Sequence, residues 1–192
     1  MARTPATPLA LRRISPLATQ SEPGRFVVAD AALLAQKARD AVANPRRREI
    51  HRFHTDNAAA LHRMVNTLQP GSYVRPHRHL DPPKDEAFVL LTGRMGFICF
   101  RDDGGFGPED CAVLDRETGV LALDAPAGGW HAILALSPDT ALFEVKPGPY
   151  SPLSDKDFAP FAPAEDDPAA MDYLRETEDR FREVMGLEPR GW

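Results

Sequence analysis

The sequence predicts a mainly β, single-domain protein: an antiparallel barrel or sandwich with one helix before it and one after. Three observations carry that reading. From Glu49 to Val145, short runs rich in Val, Ile, Leu and Phe recur at strand length between Gly, Pro and Asp clusters: "LHRMVNTL", "SYVRPHRH", "EAFVLL", "GRMGFICF", "AVLD", "GVLALD", "HAILALS" and "TALFEV". The links "LTGRM", "DDGGFG" and "LSPDTAL" are short and turn-forming, which favours hairpins over crossover helices. A chain of 192 residues, 43% hydrophobic and 27% charged, is long enough and ordinary enough for one domain with a real core.

Taken in order, residues 1–24 are rich in Pro, Ala, Thr and Ser without a sustained period and are expected to form a flexible arm. In "ADAALLAQKARDAVANP", Asp30 offers an N-cap, Leu33, Leu34, Ala38 and Val42 an apolar face, and Asn44 before Pro45 a stop. This helix and the β region make up the barrel domain, residues 25–165. Its last stretch, 147–167, is dense in proline and is expected to wrap the outside. Residues 166–192 form a C-terminal helix and tail, with Asp167 as cap, Pro168 as first residue and Met171, Leu174, Phe181, Val184 and Met185 as its stripe.

Lys and Arg number 23 against 28 Asp and Glu, a net charge of −5 that argues against nucleic acid as a partner. No apolar stretch reaches the ~18 residues that span a bilayer, and the N-terminal stretch lacks the apolar core of a signal peptide, so the expected location is the cytoplasm without membrane attachment. Cys99 and Cys111 cannot make a framework of bridges and read as small buried hydrophobes.

The chemistry centres on "PHRHLDPPKDEAF". Successive side chains of a strand alternate faces, so His77 and His79 share a side while Arg78 takes the other. Glu86 heads the next strand on the face of Phe88 and Leu90. A carboxylate in an apolar row needs Lys84, an arginine or a metal to neutralise it. His131 follows the Gly-rich turn "PAGG" at the head of another strand. Three imidazoles and a carboxylate form a donor set suited to Zn, Fe, Mn, Ni or Cu.

These residues resemble the two motifs of the cupin superfamily. The first runs Gly71, five residues, His77-Arg78-His79, six residues, Glu86, six residues, Gly93; its spacer before the glutamate is longer than usual. The second matches at Pro126, Gly128 and His131, with Ala135 where asparagine is usual and Gly119 one residue farther away. More narrowly, "NTLQPGSYVRPHRH", "KDEAFVLLTGRMG" and "LFEVKPGPYSPLSDKDFAPFAPAE" look like WbuC-type cupin-fold metalloproteins, often associated with bacterial surface-polysaccharide genes. The resemblance implies a small double-stranded β-helix, or jelly-roll, barrel holding one divalent transition metal (Zn, Fe, Mn or Ni) on His77, His79, Glu86 and His131. It implies no particular reaction.

The expected function is a metalloenzyme, an isomerase or a dioxygenase, acting on a small oxygen-rich metabolite such as a sugar or sugar acid. The alternatives are a non-catalytic metal-dependent carbohydrate-binding or sensing module and an Fe-dependent oxygenase. Tyr73 and Arg75 share the parity of the histidines, and Lys84 sits in the intervening loop; these three are the substrate-binding candidates. Glu144 and Lys146 lie two apart and are expected to pair inside the barrel. The basic run "NPRRREIHRFH" reads as a solvated surface, His62 as hydrogen-bonded at a sheet surface and Trp130 as packing at one end of the barrel. A homodimer is expected because the edge of a sheet needs covering.

Overall fold

In the computed structural model, the structure describes residues 11–151 and 155–192. Helix α1 (Ala31–Ala43) has the anticipated caps: the extended Asp30 accepts a hydrogen bond from Leu33 N at 2.9 Å, and Asn44 ends it. Its inner face buries Leu33, Ala38 and Ala41, whereas Val42 is exposed.

Twelve strands follow the chain: β1 (Leu11–Ser15), β2 (Ala18–Ser21), β3 (Arg48–Arg52), β4 (Leu61–Leu68), β5 (His77–Arg78), β6 (Glu86–Thr92), β7 (Arg94–Phe100), β8 (Cys111–Asp115), β9 (Ala122–Ala125), β10 (Trp130–Ala135), β11 (Thr140–Pro147) and β12 (Asp157–Phe158). One sheet runs β1-β2-β3-β4-β11-β6-β9 and the other β12-β5-β10-β7-β8. The central eight strands, β4-β11-β6-β9 facing β5-β10-β7-β8, change sheet at every link along the chain except β7 to β8, which is jelly-roll order. The fold is the single-domain cupin barrel that the motifs imply.

That order corrects the expectation of three hairpins. Only "DDGGFG" joins paired neighbours, β7 and β8. "LTGRM" and "LSPDTAL" carry the chain from one sheet to the other, and Gly93, at φ 74°, turns the first of these corners.

Within the expected arm, residues 1–10 lie outside the described residues, but 11–21 form β1 and β2 rather than a loose segment. Strand β2 pairs parallel with β3, because β3 would otherwise leave an open edge. Strands β3 and β12, like β1 and β2, are additional to the runs named from the sequence.

Alternation along β7 and β10 divides the apolar residues into two cores. Leu68, Phe88, Leu90, Met95, Phe97, Ile133 and Leu142 fill the barrel. Ile98, Phe100, Trp130, Ala132 and Leu134 face outward and are covered by the Ala159–Ala162 stretch and by α2 (Ala170–Val184). Trp130 therefore packs outside the barrel rather than closing its end.

Helix α2 starts later than expected. Asp167 accepts from Ala169 N at 2.8 Å in a turn, and Ala169 is the cap. Leu174 and Phe181 are buried, while Met171 is exposed. Gly96 makes the seat: a Cβ there would fall 2.8 Å from Phe181 Cζ. The cysteines also differ from expectation, Cys99 being exposed and Cys111 half-buried. Both lie on the outermost pair of strands in their sheet, where few elements cover them.

Candidate metal centre

Strand register brings the four donors together. His131 on β10 pairs directly with His77 on β5, and His79 lies two residues on, on the same face. Glu86 opens β6 in the opposite sheet and points across the barrel. One donor atom from each of His77, His79, Glu86 and His131 lies within 4.8 Å of every other, and all four residues are buried. The six-residue spacer before Glu86 does not displace it from the group.

Hydrogen bonding fixes the imidazoles. His77 Nδ1 meets Arg75 O at 2.9 Å, His131 Nδ1 meets Gly129 O at 3.0 Å, and His79 Nδ1 meets Asp155 O. A carbonyl oxygen only accepts, so each Nδ1 carries a hydrogen and each Nε2 is the ring atom left for a cation. Burial, Lys156 and His131 hold His77 well below the ordinary imidazole range, which keeps it neutral. His79 Nε2 stands 3.2 Å from Glu86 Oε1, and His131 Nε2 stands 2.8 Å from Glu86 Oε2. Both ring nitrogens thus stand at ligand distance from the same carboxylate. His79 Nε2, His131 Nε2 and Glu86 Oε2 are buried without a hydrogen-bond partner. Orphaned acceptors converging on one point fit a cation with nitrogen and oxygen ligands.

Glu86 is ionised. Burial alone would raise its pKa, but the Lys146 ammonium, 3.1 Å from Oε1, and the imidazoles of His131 and His79 bring it well below the usual carboxylate range. Lys146 also lies 3.4 Å from Glu144 Oε1 and 3.6 Å from Asp155 Oδ2, and its pKa is raised despite burial. The expected Glu144–Lys146 pair is present. Burial and the Glu86 charge push Glu144 upward, while Asn66 Nδ2 donates to its other oxygen.

The three substrate-binding candidates are engaged elsewhere. Tyr73 Oη donates to Pro163 O at 2.9 Å, and Arg75 donates to Ala162 O and Ala159 O at 3.1 and 3.2 Å. Both tie the proline-rich segment to the barrel, because its carbonyls have no strand partner of their own. Lys84 is buried, 2.6 Å from Asp155 Oδ1, and donates also to Pro149 O.

The residues that the sequence reading passed over are Asp155, Lys156 and Phe158. The segment expected only to wrap outside enters the second sheet as β12, with Phe158 opposite His77 and Asp157 opposite Arg78. The alternation in "DKDF" was a strand signal, hidden by the prolines around it. Burial and the nearby Lys146 charge lower Lys156 to about 8, against the pull of Glu86 and Glu144.

The basic run has no part in this centre. Arg48 bonds both oxygens of Glu165 at 2.7 Å, and His51 is buried between Thr19 Oγ1 at 2.9 Å and Ser21 Oγ at 2.7 Å. His62 stacks on His54 with ring centroids 4.0 Å apart, both buried.

Comparison with known proteins adds a family model described as a domain of unknown function (DUF6016), which matches residues 29–109. No curated protein matches. Among solved structures, KdgF from Halomonas sp. is 17% identical, with 55% of this chain and 81% of that one covered at a TM-score of 0.41. L-ribose isomerase from Cellulomonas parahominis is 16% identical over 66% of this chain and 71% of the other, at 0.45. A cupin 2 conserved barrel domain protein from Leptotrichia buccalis is 15% identical over 53% and 40%, at 0.38. No described helix is long and apolar enough to cross a membrane.

Proposed function

We propose that the protein is a metalloenzyme that holds one divalent transition metal on His77, His79, Glu86 and His131 and acts on a small oxygen-rich metabolite such as a sugar or sugar acid. The observation that carries this is the buried convergence of one donor atom from each of His77, His79, Glu86 and His131 within 4.8 Å of one another. Three imidazoles and a carboxylate suit Zn, Fe, Mn or Ni. Such an ion, when bound, supplies Lewis acidity toward oxygen donors of the ligand.

The chain's own groups orient the donors. Backbone carbonyls set the three ring tautomers, and Lys146 occupies one side of Glu86 Oε1. Phe97 lies against His131, centroids 5.8 Å apart and nearly parallel, and excludes water from beneath the centre. Together these leave a polar end on an apolar floor, the layout of a site for a small polar molecule.

Elemental analysis of protein purified without chelator or added metal tests the reading. One equivalent of a transition metal in the wild type, lost in His77→Ala and His131→Ala with the fold intact by circular dichroism, is the expected result. A metal-free wild type that fails to take up added Zn, Fe, Mn or Ni would overturn it. A metal-loaded protein inert toward sugars and hydroxy acids would retain the centre and remove the enzymatic part.

A further inference from the structure

We propose that Lys156 is the anion anchor of the barrel and binds the carboxylate of the substrate, which makes that substrate a small hydroxy or keto acid. This rests on the metal-dependent reading above and deepens it.

Register places the side chain. In β12, Asp157 turns outward: its carboxylate takes a hydrogen bond from Arg78 Nε at 3.0 Å, and Arg78 stacks over Trp130, 4.0 Å from the ring, on the outer face. Its neighbours Lys156 and Phe158 therefore take the other face, where Phe158 is still 47% exposed. Phe158 pairs with His77, their ring centroids 6.3 Å apart. The same antiparallel register, continued one residue beyond β12 and β5, sets Lys156 opposite His79.

Three lysines then serve this end of the barrel, and they are not alike. Lys84 is paired with Asp155 at 2.6 Å, and Lys146 lies within 4 Å of Glu86, Glu144 and Asp155; both are buried. Lys156 has no ion pair among the described residues and is partly exposed. The residues outside that description, 1–10 and 152–154, contain no Asp or Glu. Partly exposed and unpaired with any carboxylate of the described residues, Lys156 is free to take a carboxylate from solution.

Charge balance gives the same sign. Glu86, Glu144 and Asp155 face Lys84, Lys146 and Lys156, three carboxylates against three ammoniums. A divalent ion on the four donors leaves this interior with excess positive charge even if Glu144 is ionised. An anionic ligand with a second oxygen directed to the ion restores the balance, and a neutral polyol does not.

The test uses glycolate as the probe and ethylene glycol as its neutral counterpart, with metal content measured in every sample. Calorimetry is expected to show glycolate binding to the wild type and to Lys156→Arg, a loss of about tenfold or more in Lys156→Met, and no comparable binding of ethylene glycol. Equal metal in wild type and Lys156→Met assigns the loss to the anchor rather than to the centre. Peptide mass spectrometry after mild acetylation at pH 8 gives an independent readout. Glycolate, but not ethylene glycol, is expected to protect Lys156, while Lys84 and Lys146 react little in either case. Glycolate affinity that is unchanged in Lys156→Met, undetectable glycolate binding, or acetylation of Lys156 indifferent to glycolate overturns the proposal. Failure of the metal reading shows separately, as absent metal in the wild type, and the acetylation result is read in that sample on its own.

Discussion

His131 Nε2 and Glu86 Oε2 lie 2.8 Å apart, both buried, while His131 Nδ1 is turned to Gly129 O. A cation held between the two is coordinated by both atoms. Substituting Glu86→Gln removes the charge while keeping the shape, and metal affinity is expected to fall by at least about tenfold. Titration against a competing chromophoric chelator reads the change directly.

Metal is expected to stabilise the fold, since the donors converge only when three strands are assembled. At free Zn near a hundred times its Kd, the gain for a folded-state site is about 3 kcal/mol. Thermal melts with and without a chelator should show that difference in the wild type and lose it in His79→Ala. Equal melting temperatures in both conditions for the wild type would contradict the site.

Asp155 holds Lys84 and lies within 3.6 Å of Lys146, while its backbone carbonyl orients His79. Removing a buried partner strands the opposite charge, so Asp155→Ala is expected to cost about 3 kcal/mol in urea unfolding. The double variant Asp155→Ala, Lys84→Met should recover part of the loss. A surface-like cost under about 0.5 kcal/mol would show that the network is not buried as described.

His51 and His54 predict a loss of stability in acid. Burial, with the Lys37 charge, lowers His51 to about 4; burial, with its stacked neighbour His62, does the same for His54. Between about 6.5, the unfolded value, and 4, the unfolded chain binds protons that the folded chain refuses. Their contribution is therefore complete above about pH 6.5 and is lost as pH falls through that window. Denaturation midpoints from pH 7 to 4 should decline, and less steeply in His54→Gln.

Phe181 is fully buried against Gly96 on the outer face of the second sheet. Phe181→Ala leaves a void there and is expected to cost about 3–5 kcal/mol. Gly96→Leu, which forces the same contact from the other side, should also destabilise while the far-ultraviolet spectrum stays β-rich. If either variant melts like the wild type, α2 does not cover this face.

What the sequence alone determined lies in local periodicity and motif spacing. The eight main strand runs, α1 with its Asp30 cap, and the His77, His79, Glu86 and His131 donor set were legible because alternation of side chains and capping act over a few residues. The partners of those groups were not. Parity put Tyr73 and Arg75 on the histidine face, but the carbonyls of Ala159, Ala162 and Pro163, some ninety residues on, claimed their donors. Hairpins were inferred from short links, yet two of those links change sheets, because a jelly roll pairs strands distant in sequence. Only the folded barrel gives Asp155 to Lys84 and leaves Lys156 without an ion pair among the described residues. Neighbour identity across a sheet is set by long-range register, which no local pattern encodes.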